Sequence, residues 1–125
     1  MKIQYSVALA ALLGATVSGV AVHGLHAQGK KAYTITENQV VDQKLAAEFA
    51  GRVTKAQADA GGRNLKTGGG KVVAMEGTAP ERVAITEWDS LGKAEAFFKS
   101  KAWTDLALDR EKANKTIRRY AVEER

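Results

Sequence analysis

Segments with the apolar spacing of a β-strand and segments with that of an α-helix follow each other along the chain, and their order constrains its fold more than any other feature. Residues 33–41 are rich in β-branched and aromatic side chains and predict a strand. Asp42 can cap a helix after it, because apolar residues recur at helical spacing over residues 42–60. The run Arg82–Trp88 then has the composition and alternation of a half-buried strand.

The C-terminal part of the chain predicts further helical segments and a final strand. Asp89 and Ser90 can cap a second helix. Its buried side is expected to include Leu91, Ala94, Ala102 and either Phe97 or Phe98. A third helical segment carries Trp103, Leu106, Ala107 and Arg110 on one side. Residues 116–123 predict the last strand.

The glycine-rich segment before residue 82 predicts the remaining strand. Gly61 and Gly62 end the first helix. Residues 63–66 and 71–76 flank a glycine-rich turn, either as a hairpin or as one strand broken by a bulge, and we favour the broken strand. The resulting order, β-α-β-β-α-β, is that of the ferredoxin-like α+β fold. This fold has a four-stranded antiparallel sheet with its helices on one face.

The first 27 residues have the three parts of a secretory signal peptide. Lys2 gives a positive start, residues 7–22 form an uncharged and mostly apolar run, and Ala27 is a small residue at the expected cleavage site. An uncleaved membrane anchor is the alternative, but such a helix needs about 20 strongly apolar residues. We therefore predict a protein exported to the periplasm or secreted, a single domain over residues 28–125, and no stable membrane anchoring after cleavage.

The predicted mature domain lacks imidazole and thiol groups. His23 and His26 both lie in the predicted leader, and the sequence has no cysteine. Nucleophilic triads, the common zinc sites and His-ligated haem are therefore excluded, and we expect neither a metal nor a cofactor. Asp109 and Glu111 interrupt a basic cluster near the C-terminus, which predicts a solvated face and no nucleic-acid partner.

Apolar residues occur on both sides of the predicted strands. Val83 and Ile85 alternate with Ala84 and Trp88, so the sheet face without helices is also apolar. Such a face is not expected to stay in water. We therefore predict a homodimer in which two identical sheets face each other across a barrel-like gap, with a monomer carrying a modest apolar patch as the alternative.

Two glutamates are candidate catalytic residues. Antiparallel pairing of the first and third strands predicts Glu37 near Arg82, and it predicts Glu87 near Arg63 at the opposite end of the sheet. Ion pairs that fix strand register are the alternative role for both. If Glu87 points into the gap, desolvation would raise its pKa and make it a usable general base.

Several short blocks of sequence carry a resemblance to a known family. They are Ala32-Tyr33, Glu37, Gly61-Gly62-Arg63, Gly69-Gly70-Lys71, Glu76-Gly77, Pro80-Glu81-Arg82-Val83, Glu87-Trp88-Asp89-Ser90 and Ala94. In these blocks the chain resembles the family called domain of unknown function 1330. The resemblance implies the dimeric alpha-beta barrel superfamily, which also holds cofactor-free monooxygenases, muconolactone isomerases and haem-handling peroxidases. Ser100-Lys101-Ala102-Trp103 departs from the family pattern, which usually has tyrosine in the last position.

Two classes of function remain. The first is a homodimer that binds a small organic molecule between its sheets, with Trp88 and Trp103 as candidate walls and Arg63 or Arg82 holding an acidic group. Both tryptophans have core or interface packing as their alternative role. The second is a cofactor-free isomerase or monooxygenase in which a carboxylate removes a proton next to a carbonyl. We favour the binding protein.

Overall fold

The computed structural model describes residues 29–125, which form one antiparallel sheet and a helical layer. The strands are β1 (Ala32–Val40), β2 (Arg63–Asn64), β3 (Arg82–Trp88) and β4 (Asn114–Glu123), and they lie side by side in the order β2-β3-β1-β4. The helices are α1 (Gln43–Asp59), α2 (Leu91–Lys99), α3 (Lys101–Thr104) and α4 (Ala107–Ala113). This topology confirms the predicted ferredoxin-like α+β fold. The predicted leader lies outside the described residues.

Helix α1 begins and ends where its flanking residues require. The Asp42 carboxylate accepts a hydrogen bond from the backbone N–H of Leu45 at 3.0 Å, as an N-cap does. Gly61 has φ of +95°, a conformation that favours glycine and turns the chain out of the helix. A Cβ on Gly62 would lie 2.8 Å from the Trp88 ring, so this position needs glycine because the backbone passes against the indole.

The C-terminal helical part is divided into three short helices. The Ser90 hydroxyl caps α2 by accepting from the N–H of Lys93, and the Ser100 hydroxyl caps α3 by accepting from the N–H of Trp103. The predicted buried residue Ala102 is exposed, because the chain turns at Ser100 and places Trp103 inward instead. No helix among residues 29–125 is long and apolar enough to cross a membrane.

The core lies between the helices and one face of the sheet. Its buried apolar residues are Ala46, Phe49, Trp88, Ala94, Phe97, Trp103 and Ala113. The Trp88 ring packs 5.3 Å from that of Phe97, and its indole N–H donates to the Thr34 hydroxyl at 3.0 Å. From the sequence, Trp88 is a candidate wall of the gap on the uncovered side of the sheet, with core or interface packing as its alternative role. The structure places it in the core on the opposite side, because it alternates with Glu87 along β3.

The predicted broken strand over residues 63–66 and 71–76 is wrong. Strand β2 has two residues, and its pairing with β3 ends with a hydrogen bond from the N–H of Leu65 to the Ile85 carbonyl at 2.9 Å. The Thr67 hydroxyl then donates to the Val83 carbonyl at 2.7 Å, the acceptor that the next residue of a longer strand would use. Lys66 has φ of 61°, which turns the chain away from the sheet, and residues 71–76 are not in it.

Candidate functional site

The sheet has one face that its own helices leave open. Strand register assigns to this face the residues Tyr33, Ile35, Glu37, Arg63, Leu65, Val83, Ile85, Glu87, Arg118, Tyr120 and Val122, here called the uncovered face. Ile35 lies at its centre, opposite Ile85 on one neighbouring strand and Tyr120 on the other. Leu65, Tyr120 and Val122 are 40%, 48% and 52% exposed. The centre of the uncovered face is therefore an apolar strip that no helix of the chain covers.

Glu37 lies at one end of the uncovered face in a cluster with Arg118 and Tyr120. It is only 6% exposed, and it accepts hydrogen bonds from Nε of Arg118 at 3.1 Å and from the Tyr120 hydroxyl at 3.2 Å. The Arg118 hydrogen bond lowers the pKa of Glu37, burial opposes this shift, and the bond from Tyr120 adds to it. The hydrogen bond that the Tyr120 hydroxyl donates to Glu37 in turn raises the pKa of Tyr120, and burial adds to this shift. Glu37 is thus held ionised.

The predicted pairing of Glu37 with Arg82 is corrected by the strand register. Arg82 lies opposite Asn38, whereas Glu37 lies opposite Val83 on one side and Arg118 on the other. Residues opposite each other share a face, so Arg82 projects toward the helices and Glu37 away from them.

Glu87 lies at the other end of the uncovered face and also pairs with two cations. It is 9% exposed, it accepts from Nζ of Lys31 at 3.1 Å, and it forms an ion pair with Arg63, which lies opposite it in register. The contact between Glu87 and Arg63 is the one that the antiparallel order predicts. Because each glutamate lies at its own end of the face, they do not form a paired-acid site within one chain.

A cavity of about 140 Å³ lies on the other side of the sheet, between the sheet and the helices. Its floor comes from all four strands and its roof from α1, α2 and α3. The residues lining this helix–sheet cavity are Thr34, Thr36, Asn38, Phe49, Ala50, Val53, Thr54, Gln57, Asn64, Gly68, Arg82, Ala84, Thr86, Phe98, Trp103, Asn114 and Arg119. Thr54 and Gly68, which belong to this lining, are exposed, and Gly68 lies beside Arg82.

The wall of the helix–sheet cavity contains buried polar groups, only some of which are paired. The Thr86 hydroxyl donates to the Gln57 side-chain oxygen at 3.0 Å. Asn38 and Asn114 are 8% and 6% exposed, and the side-chain oxygen of each has no hydrogen-bond partner among the described residues. Such groups are rare in protein interiors because each costs free energy if nothing pairs with it.

Two arginines stack on Trp103, and one of them, Arg119, lines the helix–sheet cavity. The guanidinium carbons of Arg110 and Arg119 lie 4.4 Å and 4.6 Å from the centre of the indole, and Arg119 Nε donates to the Thr36 hydroxyl at 3.2 Å. Burial lowers the pKa of Arg119 to about 10, and the charge of Arg110 contributes to the shift. Arg119 therefore remains protonated near neutral pH.

The structure brings together two of the predicted ligand-binding residues, in a different place from the one predicted. Arg82 and Trp103 both line the helix–sheet cavity, while Arg63 lies on the uncovered face and Trp88 in the core. The sequence reasoning missed Asn38, Asn114 and Arg119. A signal was present for the first, because the alternation of Thr34, Thr36 and Asn38 puts polar residues on the side of β1 that contacts the helices.

The metal-binding chemistry of the described residues is limited. Over residues 29–125, no group of three or more His, Cys, Asp or Glu side chains is placed to hold a metal ion.

The strand order and the one-sided helical layer define a protein of the ferredoxin-like α+β class. Within that class, the chain belongs to the family described as Domain of unknown function (DUF1330), whose family model matches residues 31–124. A similar solved structure is provisionally assigned as an antibiotic biosynthesis monooxygenase from Chloroflexus aurantiacus J-10-fl. It has 14% sequence identity and a TM-score of 0.45, and the match covers 75% of this chain and 92% of that chain. No curated protein matches the sequence.

Proposed function

We propose that this protein is an exported homodimer that binds a small organic molecule in the helix–sheet cavity of each subunit. The observation that carries the proposal is a cavity whose buried wall presents two side-chain amide oxygens, of Asn38 and Asn114, that have no hydrogen-bond partner among the described residues. Leaving a buried polar group unpaired costs about 1–3 kcal/mol. A ligand that hydrogen-bonds to these amides removes that cost, so the cavity favours a polar occupant.

The size and remaining walls of the cavity restrict the ligand further. A cavity of about 150 Å³ is large enough to bind benzene, and the helix–sheet cavity has about 140 Å³. Phe49, Val53 and Phe98 provide apolar surface opposite the polar strand residues. The best match is a molecule with one flat or compact apolar part and one polar end.

Access to the helix–sheet cavity is proposed to be beside Arg82. A Cβ on Gly68 would lie 2.8 Å from Nη2 of Arg82, so the glycine leaves room for the guanidinium at the edge of the cavity. Thr54 of α1 is exposed on the same lining. Arg82, predicted from the sequence as a ligand-binding residue, keeps that role here as a contact at the entrance.

The homodimer is supported by the uncovered face. Its central residues Ile35, Val83 and Ile85 form an apolar strip with an ion pair at each end, in which the glutamate is buried and the arginine is exposed, and a second copy of the sheet would cover the strip. The proposed export depends on the leader-like composition of residues 1–27.

An enzyme that uses Glu37 as a general base is less well supported. A general base must be unprotonated at the working pH and still basic enough to take a proton from the substrate, so its pKa should lie near that pH. The Arg118 hydrogen bond lowers the pKa of Glu37, so its basicity is weakened. Glu87 is ion-paired with Lys31 and Arg63, and its catalytic role stays a prediction.

The test combines native mass spectrometry with a variant that fills the cavity. Protein purified from its own host is expected to start near residue 28, to be dimeric and to carry a small molecule. Ala84→Leu places a larger side chain in the cavity lining and should abolish co-purification, whereas Ala96→Leu on the exposed side of α2 should not. A ligand retained equally by both variants would contradict binding in the helix–sheet cavity.

A further inference from the structure

The end of the helix–sheet cavity at Trp103 concentrates positive charge. Two guanidinium groups, from Arg110 and Arg119, lie on the same indole. Nη1 of Arg110 is buried without a hydrogen-bond partner among the described residues. A cation held against the face of an aromatic ring is stabilised, and more strongly so when it is desolvated. That stabilisation does not remove the repulsion between two neighbouring cations, so a further stabilising group is expected.

Acidic side chains do not compensate this charge. Among residues 29–125, neither arginine forms a salt bridge with Asp or Glu, although seven other basic residues do. Glu111 lines a groove that reaches Arg110, Asn114 and Arg119 between α4 and β4, but it pairs with neither arginine. The neighbouring Arg118 differs from both, because it forms a salt bridge with Glu37.

Arg119 also has hydrogen-bonding capacity left over. A guanidinium group has five N–H donors. The described contacts use Nε toward the Thr36 hydroxyl and Nη2 toward the Thr116 hydroxyl at 3.3 Å. Asn114 lines the cavity at the same end, and its buried side-chain amide is unpaired at oxygen. By rotating half a turn, that amide presents its N–H₂ donor instead.

We infer that the ligand of the helix–sheet cavity is a small organic acid, whose carboxylate binds at Arg119 beside Arg110 and Asn114 and whose apolar part lies against Phe49, Val53 and Phe98. This inference rests on the proposed binding function and names the chemical class of its ligand. A planar carboxylate matches the guanidinium fork, and it supplies the negative charge that the chain itself does not. A cavity of about 140 Å³ limits the apolar part to at most a single ring of about benzene size.

The test compares benzoate with benzamide, which has the same ring and nearly the same shape but no charge, by isothermal titration calorimetry. Wild-type protein is expected to bind benzoate at least about tenfold more tightly than benzamide, because hydrogen bonds between two charged groups are roughly twice as strong as neutral ones. Arg119→Met should remove this preference, and Arg119→Lys should restore part of it. The control Arg52→Met removes the same charge from an exposed salt bridge with Asp109 and should leave the preference unchanged.

The outcomes separate this inference from the proposed function. Equal binding of benzoate and benzamide, blocked by Ala84→Leu, would keep the cavity as a binding site and overturn the organic acid. Binding of inorganic phosphate as tight as that of benzoate would also overturn it, because the ring would then contribute nothing. Failure of both ring compounds, and of acetate and acetamide tested as a smaller pair, would overturn both proposals. The comparison in wild-type protein needs no variant, so it holds if Arg119→Met does not fold.

Discussion

Each face of the sheet carries residues that are unusual for its surroundings: polar ones on the face that packs on the helices, and apolar ones on the face without helices. The face that packs on helices is normally apolar, yet here it carries Thr34, Thr36, Asn38 and Arg119 around a cavity. The face without helices is normally polar, yet it carries a strip of Ile35, Val83 and Ile85. Polar residues toward the helices cost stability and are retained where function needs them. Apolar residues toward solvent indicate a partner surface.

The largest expected effect of a substitution is on the uncovered face. Ile85→Lys would bury two unpaired charges in a symmetric dimer, each costing about 3–5 kcal/mol, so the protein should become monomeric at micromolar concentration. Analytical ultracentrifugation measures this. Leu108→Lys, on a side chain that is 72% exposed in α4, is the matched control and should stay dimeric. A dimeric Ile85→Lys protein would show that the apolar strip is not the interface.

The next largest effect is in the apolar part of the helix side. Trp88→Ala removes a side chain that is 1% exposed and packs on Phe97, so the free energy of unfolding should fall by about 3–5 kcal/mol. Urea denaturation of the purified protein gives this value. Met75→Ala, at a residue that is 90% exposed, is expected to change it by less than about 0.5 kcal/mol. Similar losses for both variants would mean that Trp88 does not anchor the core.

A smaller effect distinguishes paired from unpaired amides within the cavity. Asn38→Leu replaces an amide whose oxygen has no partner, so unfolding free energy should rise by about 1 kcal/mol while ligand affinity falls. Gln57→Leu, on the same lining, breaks the hydrogen bond from Thr86 and should cost about 1–2 kcal/mol. Thermal denaturation with and without benzoate measures both. Destabilisation of equal size by the two variants would argue against a functional reason for the unpaired amide.

The smallest effect is on the pH dependence of stability, because the Arg118 partner of Glu37 is 64% exposed and its interaction is screened by water. Since the pKa of Glu37 is lowered on folding, this stabilisation is present above the ordinary pKa of 4.5. It is lost as the pH falls from there through the lowered pKa of the folded state. Glu37→Gln should therefore flatten the decline of urea midpoints between neutral and acidic pH, and exposed Glu95→Gln should not. An unchanged decline in Glu37→Gln would refute this.

The fold was predictable from sequence to the extent that hydrophobic period determines it. The alternation of Arg82–Trp88 and the helical spacing after Asp42 specify elements and their order, and order largely specifies this topology. The short β2 was not predictable from period. The Thr67 hydroxyl donates to β3 in place of a backbone N–H, and a side-chain hydrogen bond of this kind does not change the hydrophobic period of the sequence.

The candidate site was predicted less well because it depends on register. Chain order places Glu37 and Arg82 at the same end of the sheet, but a shift of one residue decides which face each occupies. The regular part of the pairing with β4 places Arg118 opposite Glu37, and the register shifts only after this pair, at Asn38. Arg119, one residue on, points to the cavity, so a basic cluster interpreted as a solvated face divides between two environments.

The hydrogen bond from Thr67 to Val83 separates the sheet from the chain that follows it. The backbone of residues 71–80 is not part of the sheet and does not pair with β3, and Met75 is 90% exposed. A peptide tag or a spectroscopic reporter inserted next to Met75 would extend the connection at little entropic cost and leave strand pairing intact. The segment between β2 and β3 is thus a suitable position for attaching such a tag or reporter without disturbing the fold.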